Sequence, residues 1–317
     1  MTPEGIPSEA AVAARGLVKR YGSHTAVDHV DFTVDQGECF GFLGPNGAGK
    51  TSTMKMIYGR SSVSEGVLRV LGLNPDTQLS ELKRCVGVVP QENNLDPDLT
   101  VWENLYLYAR YFELPPEAAE ERCHFVLDFV SLADKSGARV DELSGGMKRR
   151  LVIGRSLINS PRVLVLDEPT TGLDPHARHL VWQQLAALRT QGVTLLLTTH
   201  YMEEAARLCD RLVVMDQGRI LAEGRPDRLV EEQVGTQVVE LPEAGQVNPG
   251  LDLPQGAQEL IRRTHRVGSS LFLFTDDNRT LLGELARANP ELVSRALARP
   301  STLEDVFLTL AGRGLEE

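Results

Sequence analysis

Cysteine is scarce in this chain. Cys39, Cys85, Cys123 and Cys209 lie far apart with no Cys-x-x-Cys pair among 317 residues. That spacing reads as reduced, mostly buried thiols of a cytosolic protein rather than a disulfide framework. Long apolar runs are missing as well. The longest candidates, residues 163–166 and 193–197, have strand length, far short of the ~18–20 residues that span a bilayer. No basic segment followed by an apolar stretch opens the sequence, so no secretory signal is visible. Any work at a membrane is then expected through a partner. Basic charge is in deficit: 33 Lys and Arg stand against 44 Asp and Glu, a formal net charge of −11. Such a balance argues against broad binding to nucleic acid. The one tight basic triplet, Lys148-Arg149-Arg150, reads as a helix face that is solvated or salt-bridged to acidic surroundings. Internal repeats, sustained heptads and a second glycine-rich phosphate loop are all absent.

What remains is an ordinary globular composition, with 42% hydrophobic and 24% charged residues. The length suits about two domains and a sizeable core. Residues 1–10, with Pro3, Gly5 and Pro7, read as a flexible tail. A strand is expected at 40–43, then a glycine-rich loop, then a helix from Lys50. Residues 100–132 carry helical spacing (Asn104, Leu107, Tyr108, Tyr111) that Pro115-Pro116 interrupts. A strand at 163–166, a helix at 177–190, a strand at 193–198, a helix at 202–208 and a strand at 211–215 predict an α/β sheet with parallel pairs.

The character changes near residue 235, where a domain boundary is placed, separating 11–234 from 235–317. Residues 241–258 read as loops. Beyond them come a hairpin around Gly268-Ser269-Ser270, a helix at 279–288 and a strand at 292–298. A last helix carries Leu303, Val306, Phe307 and Leu310 at i, i+3, i+4 and i+7. The result is a small α+β unit without a chemical motif.

Three segments carry chemistry. Gly44-Pro45-Asn46-Gly47-Ala48-Gly49-Lys50-Thr51 matches G-x-x-x-x-G-K-[ST]. Its glycines let the backbone aim successive N–H groups at phosphate oxygens, and the helix start adds its positive dipole end. Lys50 is placed to reach the β- and γ-phosphates, and the Thr51 hydroxyl to coordinate Mg²⁺. The apolar run 163–166 ends in Asp167-Glu168, at the C-terminal strand end where α/β ligands bind. Asp167 is expected to hold Mg²⁺, and Glu168 to act as general base on the attacking water or to orient it. Leu143-Ser144-Gly145-Gly146 places a serine and two glycines at a helix N-terminus, a second phosphate-sized anion site. That site has no carboxylate pair of its own, which suggests that it completes a site on another copy.

At these residues the chain resembles the nucleotide-binding subunit of an ATP-binding cassette (ABC) transporter, over residues 12–232. The resemblance implies an α/β fold: a P-loop NTPase domain with a RecA-like core plus antiparallel β and α-helical subdomains, followed by the small α+β domain. It implies an ATP- and Mg²⁺-dependent ATPase whose two copies sandwich two ATP molecules. Gly44 to Thr51, with Ser52, would hold the phosphates. Ser144, Gly145 and Gly146 would meet the nucleotide bound to the other copy. Tyr21 resembles the aromatic that stacks on adenine. Gln91 resembles the glutamine that senses Mg²⁺ and water while facing the membrane partner. Asp174, in Thr171-Gly172-Leu173-Asp174, resembles the acidic residue linking the two sites. His200 resembles the switch histidine at the γ-phosphate. Thr51, Gln91 and Asp167 form the implied Mg²⁺ set. Met147 departs from the family's usual glutamine, so a polar contact to the ribose is not expected there.

The segments 143–151, 167–178 and 301–310 look like ATPases of ABC-2 type exporters, the nodulation-factor and daunorubicin-resistance branch. That likeness implies a separate integral-membrane permease, an amphiphilic cargo such as a drug, a lipid or a lipo-oligosaccharide, and a place on the cytoplasmic face of the membrane. The accessory domain is expected to stabilise the ATPase dimer or to limit its opening. The alternative is a non-transport ABC ATPase acting on ribosomes or DNA, which usually carries tandem cassettes or a long coiled coil.

Overall fold

The computed structural model describes residues 9–242 and 253–312. The tail expected at 1–10 therefore lies almost wholly outside the described residues, as does most of the loop expected at 241–258. The chain forms two compact units, residues 1–220 and 221–317.

In the first unit β1 (Val12–Tyr21), β2 (His24–Val34) and β4 (Glu65–Val70) form an antiparallel sheet in the order β2-β1-β4. A second sheet runs β5-β6-β7-β3-β8-β9, from β3 (Cys39–Leu43), β5 (Val86–Val89), β6 (Val163–Asp167), β7 (Thr194–Thr199), β8 (Arg211–Asp216) and β9 (Arg219–Gly224), the last of which carries the chain from the first unit into the second. Strands β5, β6, β7, β3 and β8 pair in parallel. Every residue of β3, β6 and β7 is buried, as continuous apolar runs in a doubly covered parallel sheet should be. Phe32 of the antiparallel sheet meets Phe40 and Phe42 of β3, with Phe32 and Phe42 ring centroids 5.1 Å apart edge to face. One core thus spans both sheets and α1 (Lys50–Ile57), through Met54, Met56 and Ile57.

After α2 (Leu79–Cys85) the helical segment begins. Helix α3 (Val101–Tyr111) opens on a reciprocal cap between Thr100 and Glu103. Helix α4 (Pro116–Phe129) opens with proline at its first position, where no N–H is needed. Helices α5 (Gly145–Ser156), α6 (Pro175–Thr190) and α7 (Met202–Leu208) follow.

In the second unit α8 (Pro226–Gln233) is followed by β10 (Gln237–Leu241), α9 (Gln255–Gln258), β11 (Ile261–Val267), β12 (Ser270–Thr275), α10 (Asn278–Ala288), α11 (Pro290–Val293), β13 (Leu297–Pro300) and α12 (Leu303–Ala311). Its antiparallel sheet has the order β11-β12-β10-β13. The units part at 220–221, before the boundary expected near 235. The reason is packing: Val230 and Val234 bury themselves with Val238, Phe274, Val306 and Leu310, so α8 joins the residues that follow it. The strand expected at 292–298 is also displaced. Pro290, with its preset φ, starts a helical turn, and the strand is delayed to 297–300. The last helix forms as expected, capped by Thr302 and Asp305, with Asp305 paired to Arg299 at 2.7 Å. Among the described residues no helix is long and apolar enough to cross a membrane.

Candidate nucleotide site

The sheet register brings three strand ends together. Leu43 pairs with Thr199, and Asp167 with Thr198, so the loop after β3, the carboxylates after β6 and the residues closing β7 share one edge, the ligand-binding edge of such sheets. Two glycines of the loop are sterically required. A Cβ on Gly44 would lie 2.2 Å from the Met215 carbonyl oxygen, and one on Gly49, at φ +103°, 2.5 Å from that of Ala26. Lys50 opens α1 buried, its Nζ donating to the carbonyls of Gly44 (2.6 Å) and Pro45 (2.9 Å). Burial pulls its ammonium below the ordinary lysine range, while the charges of Glu168 and Asp167 oppose that shift. Asn46 and Gly47 are exposed at the loop tip, while Pro45 and Ala48 are buried. Ser52 follows Thr51 on the first turn of α1.

Asp167 is buried and accepts from Thr51 Oγ1 (3.2 Å) and Thr198 Oγ1 (2.5 Å). Glu168 adopts φ +47°, a left-handed conformation uncommon outside glycine. Its amide donates to the Thr198 carbonyl (3.1 Å) and hydroxyl (3.0 Å). Its carboxylate gathers three side chains: Gln91 Nε2 donates to Oε2 (3.2 Å), Thr171 Oγ1 donates to the same oxygen (3.2 Å), and His200 Nδ1 lies 3.3 Å from Oε1. Gln91, Glu168 and His200, far apart in sequence, thus meet at one carboxylate. Tyr21 is exposed at the end of β1, its hydroxyl 3.4 Å from Ser61 Oγ and its ring under the Lys19 ammonium at 4.9 Å.

A second cluster lies on two helix N-termini. Ser144 caps α5, its Oγ accepting from the Met147 amide (3.3 Å). Asp174 caps α6, accepting from the Ala177 amide (3.0 Å), and that N–H holds its carboxyl below the usual range. Gly146 joins them, since a Cβ there would meet Ala177 Cβ at 2.7 Å. Ser144, Gly145 and Asp174 are all exposed.

The family model "ABC transporter" matches residues 27–171, and "Nodulation factor export protein NodI, C-terminal domain" matches 252–312. The chain is 47% identical to Nod factor export ATP-binding protein I of Ralstonia nicotianae, across 99% of this chain and 97% of the relative. It is 48% identical to the protein of the same name from Rhizobium johnstonii, across 100% and 99%. The chain belongs to the ABC transporter ATP-binding family. Solved structures resemble about two thirds of it or more: cbiO1 from Clostridium perfringens, part of the ABC transporter complex cbiONQ (TM-score 0.66, 26% identity, 71% of this chain and 92% of that one), and the dimeric ATP-binding cassette MJ0796 with ADP and Pi (TM-score 0.61, 26% identity, 68% and 98%). An ABC ATPase binds and hydrolyses ATP, and this chain does so as a member.

The structure also buries polar residues that motif spacing did not single out. Arg149 is the sharpest correction. It is neither solvated nor salt-bridged: it is 3% exposed and donates to five backbone carbonyls. Arg150 likewise donates to the carbonyls of Val130 and Ser131. A signal was present, since Arg149, Val152, Ile153 and Ser156 form the i, i+3, i+4, i+7 stripe of α5, all buried. Thr198 and Thr171 serve the carboxylates as described. Glu204 is fully buried, accepting from Thr170 Oγ1 (2.7 Å) and Trp182 Nε1 (3.0 Å), and burial pushes its carboxyl up.

Proposed function

We propose that this ATPase powers the export of an amphiphilic lipo-oligosaccharide through a separate ABC-2 type permease, from the cytoplasmic face of the membrane. The observation that carries the catalytic part is the Glu168 carboxylate, with Gln91, Thr171 and His200 around it and Lys50, Thr51 and Asp167 alongside. The cargo class is supported by the full-length likeness to Nod factor export proteins, which does not favour a role on ribosomes or DNA.

ATP binds with its adenine on Tyr21 and its phosphates in the cradle from Gly44 to Ser52. Lys50 leaves its two loop carbonyls for the β- and γ-phosphates. Mg²⁺ suits the oxygen donors of Thr51, Asp167 and Gln91, and when bound it neutralises charge on the phosphates. Two copies close, and Ser144–Gly146 of one meets the nucleotide on the other, with Asp174 at the crossing. Glu168 orients and deprotonates the attacking water, and His200 holds the γ-phosphate oxygens. Phosphoryl transfer asks the protein mostly for positioning and charge, which a preformed network supplies. Gln91 carries the change of state toward the permease.

Glu168→Gln tests this reading. It is expected to retain ATP binding, to lose hydrolysis by on the order of 10²-fold or more, and to accumulate as an ATP-bound dimer on size-exclusion chromatography. Hydrolysis at the wild-type rate would overturn the assignment. Purification with ATP from native membranes is expected to bring down a polytopic membrane protein.

A further inference from the structure

Arg149 touches the backbone of both segments that supply the hydrolytic side chains. Its Nε donates to the Pro169 carbonyl (2.6 Å). One terminal nitrogen donates to Pro90 (2.6 Å) and Gln91 (3.1 Å), the other to Asp167 (3.2 Å) and Glu168 (3.1 Å). A guanidinium has five N–H donors in a planar fork, and here every one has a carbonyl. Burial lowers its pKa to about 10, and Asp167, Glu204 and Glu168 oppose that shift, so the group stays charged at neutral pH. Glu168 needs such support. Its left-handed backbone is held by Thr198 on the amide side and by Arg149 on the carbonyl side.

We propose that Arg149 is a positioning residue for ATP hydrolysis: one guanidinium fixes the Gln91 and Glu168 backbones relative to each other and fastens both to α5, the helix that Ser144 caps. The inference rests on the reading that Glu168 and Gln91 serve hydrolysis. Lysine cannot replace this arrangement. Its three donors radiate from a single nitrogen, too few and too closely grouped to hold all five carbonyls. The expected result of loosening the clamp is a misdirected carboxylate with an intact nucleotide cradle.

The test compares Arg149→Lys with wild type in the full chain. ATP binding and KM are expected to hold within about threefold, while kcat per folded molecule falls by on the order of 10²-fold. Arg150→Met removes an arginine with a similar backbone role outside the site, and its kcat is expected to stay at the wild-type value whatever its melting temperature does. In the Glu168→Gln background Arg149→Lys should lower kcat by less than about twofold more, because both changes remove the same function. If the lysine variant does not fold, Arg149→Gln, which removes the buried charge, supplies the same comparison. A folded Arg149 variant with near-wild-type kcat, or full additivity in the double mutant, would overturn the proposal. Wild-type hydrolysis by Glu168→Gln alone would instead overturn the reading beneath it.

Discussion

A single hydroxyl, Thr198 Oγ1, donates to Asp167 and receives the amide of Glu168. Thr198→Val keeps the shape and removes both bonds in a buried strand. A loss of about 1–3 kcal/mol in stability is expected, with a fall in kcat larger than the loss in ATP affinity; urea melts and steady-state kinetics measure the two. Glu204 gives a pH signature. Its carboxyl titrates above the ordinary 4.5 in the folded chain because burial disfavours the charge. Between that value and its raised folded pKa the native state binds more protons than the unfolded one, so its contribution to stability declines as pH rises through that window. Glu204→Gln, an uncharged acceptor for Thr170 and Trp182, should flatten this decline in denaturant melts taken from pH 5 to 8. The phosphate-loop residues and Asp167-Glu168 stand out in sequence because the chemistry proposed for them demands fixed spacing. Thr198 and Glu204 were not evident there, because a buried polar residue resembles any other until the fold supplies its partners; the apolar stripe of α5 marks Arg149 as buried, but not which carbonyls it meets.

At the scale of elements, α5 and α6 meet where Gly146 lies against Ala177. Gly146→Ala would force a methyl group 2.7 Å from Ala177 Cβ, so the two helix N-termini must separate. ATP binding to the single chain is expected to survive, and dimer-dependent hydrolysis to fall severalfold; fluorescent-nucleotide titration and the concentration dependence of turnover distinguish the two. The parallel strands were readable because double burial leaves uninterrupted apolar runs such as Val163-Leu164-Val165-Leu166. The strand expected at 292–298 was misplaced because Pro290 converts the start of that run into a helical turn, and β-propensity carries little weight beside a preset φ. The boundary near 235 followed the composition shift toward Gly and Pro. The actual division follows side-chain packing, which composition does not report.

For the molecule as a whole, the packing of α8 has a practical outcome. A chain ending at residue 235 keeps Val230 and Val234 but loses Val238, Phe274, Val306 and Leu310, the residues that cover them. Such a chain is expected to aggregate on light scattering, and Val230→Lys with Val234→Glu to restore its solubility, since the defect is bared apolar surface. The arrangement of the larger sheet reaches back to synthesis itself. Strand β3 lies between β7 and β8, and the turn at Gly44 rests on the Met215 carbonyl. The ribosome therefore releases the phosphate loop long before the strands that shape it. A nascent chain halted before β7 should not retain an ATP analogue, whereas one halted with residue 216 clear of the exit tunnel should. During translation the nucleotide is thus a late arrival, captured by a loop that has waited for most of its domain to be made.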